Sequence, residues 1–240
     1  MDKQSAIYRA VPALADVPQV PLIDFDLVRS PGGGDPVGSR LLLHGFGGDK
    51  HQLRPLGEAL PQDDGVISMY PSLRAHGASH RPPWGYSVLD FAADIHRVAD
   101  LLPAPVDLIG YSYGALVGAV SALTWGVDSV RTLTVIDQSF EADPAQYVKD
   151  DWAEGSYLRF MYGYAGLLDR LDIPVLLLTG EDSHMVSAAE RDRLLARCGP
   201  RLEVAPVPGT HATCLHDPAG VARLITDFQE RNAGCGNRRS

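Results

Sequence analysis

The segment Gly110-Tyr-Ser-Tyr-Gly114 stands between a strand-like run, Val106–Gly110, and a helix-forming run of small and apolar residues, Ala115-Leu-Val-Gly-Ala-Val120. With strand before and helix after, these five residues read as a tight strand-to-helix turn. Glycine is needed on both sides because a Cβ there would strike the neighbouring strand or helix, and the central serine is held in a strained backbone conformation. The Ser112 hydroxyl is thereby lifted above the strand ends, and the helix N-terminus behind it favours developing negative charge.

The rest of the chain repeats the alternation. Short apolar runs at Arg40–His44, Gly65–Tyr70, Val106–Gly110, Val130–Ile136, Pro174–Thr179 and Leu202–Val207 are separated by segments of helical period. That pattern predicts βαβ units around a largely parallel sheet. An earlier run, Leu22–Val28, alternates and precedes Pro31-Gly-Gly-Gly34, which predicts an antiparallel edge strand and a count of seven. Ser87 with Asp90 three residues on is a capping box, and positions 88, 91, 95, 98 and 102 form the apolar face of a helix expected to stop at Pro103. Asp217 as N-cap and Pro218 at the first helical position predict a closing helix that buries Val221, Leu224, Ile225 and Phe228. From Gln138 to Asp172 the rhythm breaks in a segment rich in aromatic residues (Phe140, Tyr147, Trp152, Tyr157, Phe160, Tyr162 and Tyr164), which either line a pocket as an insertion or pack helices onto the core.

The 240 residues suit one domain over 1–232, followed by a small, polar, fraying tail at 233–240. A net charge of -9 argues against general affinity for nucleic acid or anionic membranes. No continuous apolar run follows the first charges of the N-terminal stretch, so neither signal peptide nor anchor is expected, and a cytoplasmic location is. The cysteines, Cys198, Cys214 and Cys235, match no zinc or redox spacing, and neither a disulfide framework nor a metal site is expected; Cys214 reads as buried filler.

A serine hydroxyl is a weak nucleophile at neutral pH and needs a histidine base. His184, His211 and His216 follow Ser112; His211, in Pro208-Gly-Thr-His211 directly after the last strand, sits where a loop can swing an imidazole back over the sheet. An oxyanion needs two donors. The backbone N–H of Tyr113, after the serine, is one, and the N–H of Phe46 in His44-Gly-Phe-Gly-Gly48, after an earlier strand, is the other. The absence of a Gly-Lys-Ser/Thr ending excludes a phosphate loop at 44–48.

On these motifs, residues 20 to 232 resemble the α/β-hydrolase superfamily. His44-Gly-Phe-Gly-Gly48 is similar to its oxyanion loop, Leu73-Arg-Ala-His-Gly-Ala-Ser79 to its Arg-x-His-Gly-x-Ser turn, and Gly110–Gly114 to its nucleophile elbow. Ala115 stands where a third glycine is frequent, and Tyr111 and Tyr113 replace the more usual histidine and methionine. The resemblance implies an α/β-hydrolase fold with a short helical cap at about 138–172. It also implies a triad of Ser112, an acid and His211. Many relatives carry the acid in a Gly-x-x-Asp pattern, but Gly180-Glu-Asp-Ser-His184 puts Ser183 at that position, so Asp182 would serve only if the loop shifted by one residue. Asp137, at the end of the strand before the insertion, is favoured over Asp182 because a carboxylate buried there needs a partner.

The activity implied is hydrolysis of an ester or thioester of a small or medium acyl or aryl substrate through an acyl-enzyme, without metal or organic cofactor, by a monomer or homodimer. The alternatives are a lyase, cyclisation or related tailoring reaction on the same fold, and a non-catalytic receptor.

Overall fold

The computed structural model describes residues 22–31, 36, 38–62, 65–83, 85–103, 105–126, 130–141 and 164–233. Seven strands, β1 (Phe25–Arg29), β2 (Gly38–Leu43), β3 (Val66–Pro71), β4 (Val106–Tyr111), β5 (Val130–Ile136), β6 (Val175–Gly180) and β7 (Leu202–Val207), form one sheet in the order β1-β3-β2-β4-β5-β6-β7. All neighbours are parallel except β1, which runs antiparallel to β3 at the edge. The edge strand occupies 25–29 rather than 22–28, and β2 ends at Leu43, so His44 already belongs to the loop.

Alternation along the central strands separates two cores. Leu41, Leu43, Leu108, Leu133, Val135, Val175 and Leu177 face one way, against α2 (Val88–Ala99), α3 (Tyr113–Ser121) and α4 (Ala188–Cys198). Leu42, Ile109, Ile136, Leu176 and Leu178 face the other way, against α1 (Arg54–Ala59) and α5 (Pro218–Arg231). Strands buried on both faces read as continuous apolar runs, which is why β2, β4 and β6 were legible as such. Fully buried rings such as Phe91 and Phe228 contribute about 2–3 kcal/mol each.

The caps of α2 and α5 form as their sequences require. Ser87 Oγ accepts the Asp90 N–H while the Asp90 carboxylate accepts the Ser87 N–H, and Asp217 accepts the Gly220 N–H. Helix α2 ends at Ala99, however, not at Pro103; Leu102 packs from the turn beyond it. Helices α1 and α4 lie outside the sequence expectation. The second carried an unused signal, because Ser187-Ala-Ala-Glu190 is an N-cap pattern and the Ser187 side chain does accept the Glu190 N–H. Of the aromatic segment only Phe140, buried, and Tyr164 are described; Tyr147, Trp152, Tyr157, Phe160 and Tyr162, and with them the expected cap, lie outside the described residues, as does the tail from 234.

Strand order decides where a site can form. Chain order runs outward from β2 to β3, then crosses back over β2 to β4 and continues to β7. The switch point therefore lies between β2 and β4, where the loops leaving their C-terminal ends diverge and leave a crevice. Leu43 pairs with Gly110 in register, which sets the loop at 44–48 directly beside the turn at 110–114.

Candidate active site

Ser112 occupies the turn between β4 and α3 with φ 50° and ψ -126°, a backbone conformation that non-glycine residues rarely adopt. The glycines around it are sterically required. A Cβ on Gly110 would fall 2.4 Å from Ala115 Cα, and one on Gly114 would fall 2.3 Å from the Leu43 carbonyl oxygen. The Ser112 N–H donates to the Ile136 carbonyl at 2.9 Å, so the turn is also tied to β5.

The loop after β7 brings His211 back over the strand ends. Its Nε2 lies 3.1 Å from Ser112 Oγ, and its Nδ1 lies 2.8 Å from Asp137 Oδ2. An ionised carboxylate only accepts, so the proton on that side belongs to Nδ1, and Nε2 is left with a lone pair toward the serine hydroxyl. The three side chains thus form one directed chain of hydrogen bonds.

Asp137 follows β5 and is fully buried. Its backbone, like that of Ser112, has φ 50°. The carboxylate is satisfied on both oxygens: Oδ1 accepts the Gly180 N–H at 3.0 Å, and Oδ2 accepts the Ser183 hydroxyl at 2.6 Å besides His211. Burial pushes the carboxyl upward, but the bonds from His211, Ser183 and Gly180 outweigh it and hold Asp137 below the ordinary carboxylate value. Asp182 is exposed, and its N–H donates to the Gly209 carbonyl at 3.0 Å. The structure therefore brings Asp137, not Asp182, to His211. The position at which a Gly-x-x-Asp pattern would carry an acid holds Ser183, whose hydroxyl reaches the same carboxylate.

The loop at 44–48 lies against this assembly. A Cβ on Gly45 would come within 2.9 Å of the Tyr111 ring and 3.2 Å of Ser112 Cβ, so only glycine lets the loop approach so closely, and Gly47 takes φ 75°. Phe46 lies between them with its side chain 42% exposed. Tyr113 is the first residue of α3 and is buried, with its ring edge-on to Phe91 at 5.2 Å.

Gln52 and Asp94, which belong to no motif of the sequence, join His44 and the turn at 73–79 in setting the loop's shape. Gln52 Oε1 accepts the Gly45 N–H at 2.8 Å. His44 accepts the Leu73 N–H on Nε2 at 2.8 Å and donates from Nδ1 to the Gly45 carbonyl at 2.7 Å. Burial, with His76 alongside, drives its pKa down to about 4, so it bridges the loop and the following turn as a neutral ring. In that turn Arg74 forms a buried bidentate pair with Asp94 at 2.7 and 2.9 Å, and Ser79 donates to the Ser72 carbonyl at 2.6 Å, so the Arg-x-His-Gly-x-Ser pattern is a scaffold beneath the loop. Beyond Asp137, the buried Glu190 accepts from Ser139 Oγ at 2.7 Å and from the Phe140 N–H at 2.9 Å, pinning the chain as it leaves the site. Cys198 and Cys214 are buried free thiols, and Cys214 is pushed up to about 12 chiefly by that burial. His184 and His216 are exposed. No described helix is long and apolar enough to cross a membrane.

Comparison with known proteins gives a consistent picture. A family model described as alpha/beta hydrolase fold matches residues 41–161. Among solved structures, the chain is similar to a thioesterase domain from the curacin biosynthetic pathway, at 16% identity over 86% of this chain and 95% of that one, with a TM-score of 0.71. It is similar to Est1E from Butyrivibrio proteoclasticus, solved with ferulic acid bound, at 18% identity over 89% and 96% with a TM-score of 0.71. It is also similar to the enol-lactonase from Burkholderia xenovorans LB400, at 15% identity over 88% and 97% with a TM-score of 0.71. At these identities the likeness is one of fold. No curated protein matches the sequence.

Proposed function

The chain belongs to the α/β-hydrolase family, and from that premise we propose that it is a serine hydrolase that cleaves an ester or thioester of a small or medium acyl or aryl substrate. The observation that carries this reading is the single line of hydrogen bonds from Ser112 through His211 to Asp137, at 3.1 and 2.8 Å.

In this mechanism Ser112 Oγ attacks the acyl carbonyl while His211 Nε2 takes its proton, and Asp137 holds the Nδ1 tautomer and stabilises the imidazolium. The carbonyl electron pair moves onto oxygen, where the N–H groups of Phe46 and Tyr113 receive it. Collapse expels the alcohol or thiol, protonated by His211, and leaves an acyl-serine. Water, deprotonated by His211, then attacks the acyl carbon and the acid departs with Ser112 reprotonated. Each step uses groups of this chain and needs no electron donor or acceptor. The esterase, thioesterase and lactonase neighbours support an acyl carbonyl as the reacting centre.

A fluorophosphonate probe, followed by assays of nitrophenyl esters and acyl thioesters on the wild type and Ser112→Ala, tests the proposal. Labelling that Ser112→Ala abolishes, together with loss of hydrolysis, is the expected result. An unlabelled wild type without esterase or thioesterase activity would overturn it and direct attention to non-hydrolytic chemistry, since a bromoperoxidase from Bacillus anthracis shares the fold at 16% identity.

A further inference from the structure

Tyr111 precedes Ser112 at the end of β4, and strand alternation sends its ring to the face opposite Tyr113, into the core shared with α5. There it meets His211 twice and the loop at Gly45 once. Its ring stacks on the His211 imidazole, with centroids 5.2 Å apart and planes inclined by 25°. Its hydroxyl donates to the His211 main-chain carbonyl at 2.5 Å. The ring also lies close to Gly45, where a Cβ would come within 2.9 Å of Cδ1 and 3.0 Å of Cε1.

The backbone of His211 lies beyond β7, so no strand ladder holds its carbonyl. Two side-chain donors converge on that oxygen instead: the Tyr111 hydroxyl and, more weakly at 3.5 Å, the Cys214 thiol. Ionisation of either would destroy the bond. Burial raises both groups well above their usual values, and both remain protonated donors. The loop is pinned before His211, where the Gly209 carbonyl accepts the Asp182 N–H and the Thr210 carbonyl accepts the Cys214 N–H, and the Tyr111 hydroxyl sets the tilt of the His211 peptide that follows; a displacement of about 1 Å at a catalytic group costs on the order of a hundredfold in rate.

We infer that Tyr111 is the positioning residue of the base: it ties the His211 carbonyl and ring to the chain neighbour of the serine, so the distance between base and serine is set across one residue. The stacked phenol face also favours the positive charge that His211 acquires during attack. This inference rests on the reading of Ser112 and His211 as nucleophile and base, while the clamp itself is a property of geometry. Tyr111 acts through His211 and exchanges neither proton nor electron pair in the reaction.

Tyr111→Phe keeps the ring and removes the hydroxyl. Its kcat on a nitrophenyl ester should fall about tenfold with KM unchanged, and Tyr111→Leu, which also removes the stack, should lose more, on the order of a hundredfold. The second readout is the downfield proton resonance of the His211 Nδ1–H in its bond to Asp137, assigned by its loss in Asp137→Asn. It should be sharp in the wild type and broadened in Tyr111→Phe, with both proteins equally folded by circular dichroism. A Tyr111→Phe variant with wild-type kcat and a sharp resonance overturns the clamp, and so does a fall in kcat that leaves the resonance unchanged. An unlabelled, inactive wild type whose Tyr111→Phe variant still broadens the resonance would refute the hydrolase reading and leave the clamp standing.

Discussion

Ser183 donates its hydroxyl proton to Asp137 Oδ2 at 2.6 Å, on the same oxygen that receives His211 Nδ1–H. Two donors on one oxygen fix the carboxylate's rotation, and the Gly180 N–H on the other oxygen completes the hold. The carboxylate is thereby aimed and kept ionised in a fully buried position, where a lone charge would otherwise be costly.

Ser183→Ala removes one of those donors. Because Asp137 is held below its ordinary value of 3.8, its contribution to stability is present above that value and is lost as pH falls through the lower, folded one. In the variant the folded value rises toward 3.8 and the gap between folded and unfolded values closes, so its melting temperature should lie below the wild type's at pH 7 and fall less steeply from pH 7 to 3, the two curves converging on acidification. Parallel curves for the two proteins would remove Ser183 from this role.

Asp137→Asn and Asp182→Asn separate the two carboxylates. The first replaces the acceptor facing His211 Nδ1 and favours the wrong tautomer, with an expected loss of about 10³–10⁴ in kcat. The second alters an exposed side chain whose residue reaches the His211 loop only through its own N–H, and turnover should change less than about threefold. Steady-state kinetics of both variants decides between them, and the opposite ranking would refute the assignment.

His44 gives the fold a pH limit. Its pKa lies near 4 in the folded state against 6.5 ordinarily, so unfolded chains take up a proton between those values while the folded protein does not. Stability is fully present above about pH 6.5 and declines toward pH 4, by up to ~3 kcal/mol from this group. Urea unfolding at pH 7.5 and pH 5 should show the decline, and His44→Gln, which cannot titrate, should narrow the gap between the two.

Gly114→Ala tests the tightness of the turn. Its methyl would lie 2.3 Å from the Leu43 carbonyl, a backbone atom that cannot swing aside, so β2 and α3 must separate. The expected loss is about 2–4 kcal/mol in urea unfolding. Gly47→Ala provides the contrast: nothing crowds that position, and the cost is confined to its φ of 75°, about 1 kcal/mol.

Much of the molecule is written locally. The short apolar runs of β2 to β7, the Ser87 and Asp217 caps and the two glycines about Ser112 each act within a few residues, so strands, two helices and the strand-to-helix turn follow from short-range sterics and burial. The Ser187 cap of α4 was equally local and was passed over, whereas α1, only six residues long, offers little periodicity to read. Local pattern therefore defines the set of elements and a short roster of residues able to do chemistry. Which of them meet was decided by tertiary structure, because Ser112 and His211 are 99 residues apart and Asp137 and His211 are 74 apart. No local pattern specifies those distances. They follow from β4 lying between β2 and β5, from the positive φ at Asp137 and from the path of the loop after β7. The choice between Asp137 and Asp182 turned on that geometry, since a carboxylate is placed by strand order and by the donors that converge on it, and Ser183 and His211 converge on Asp137.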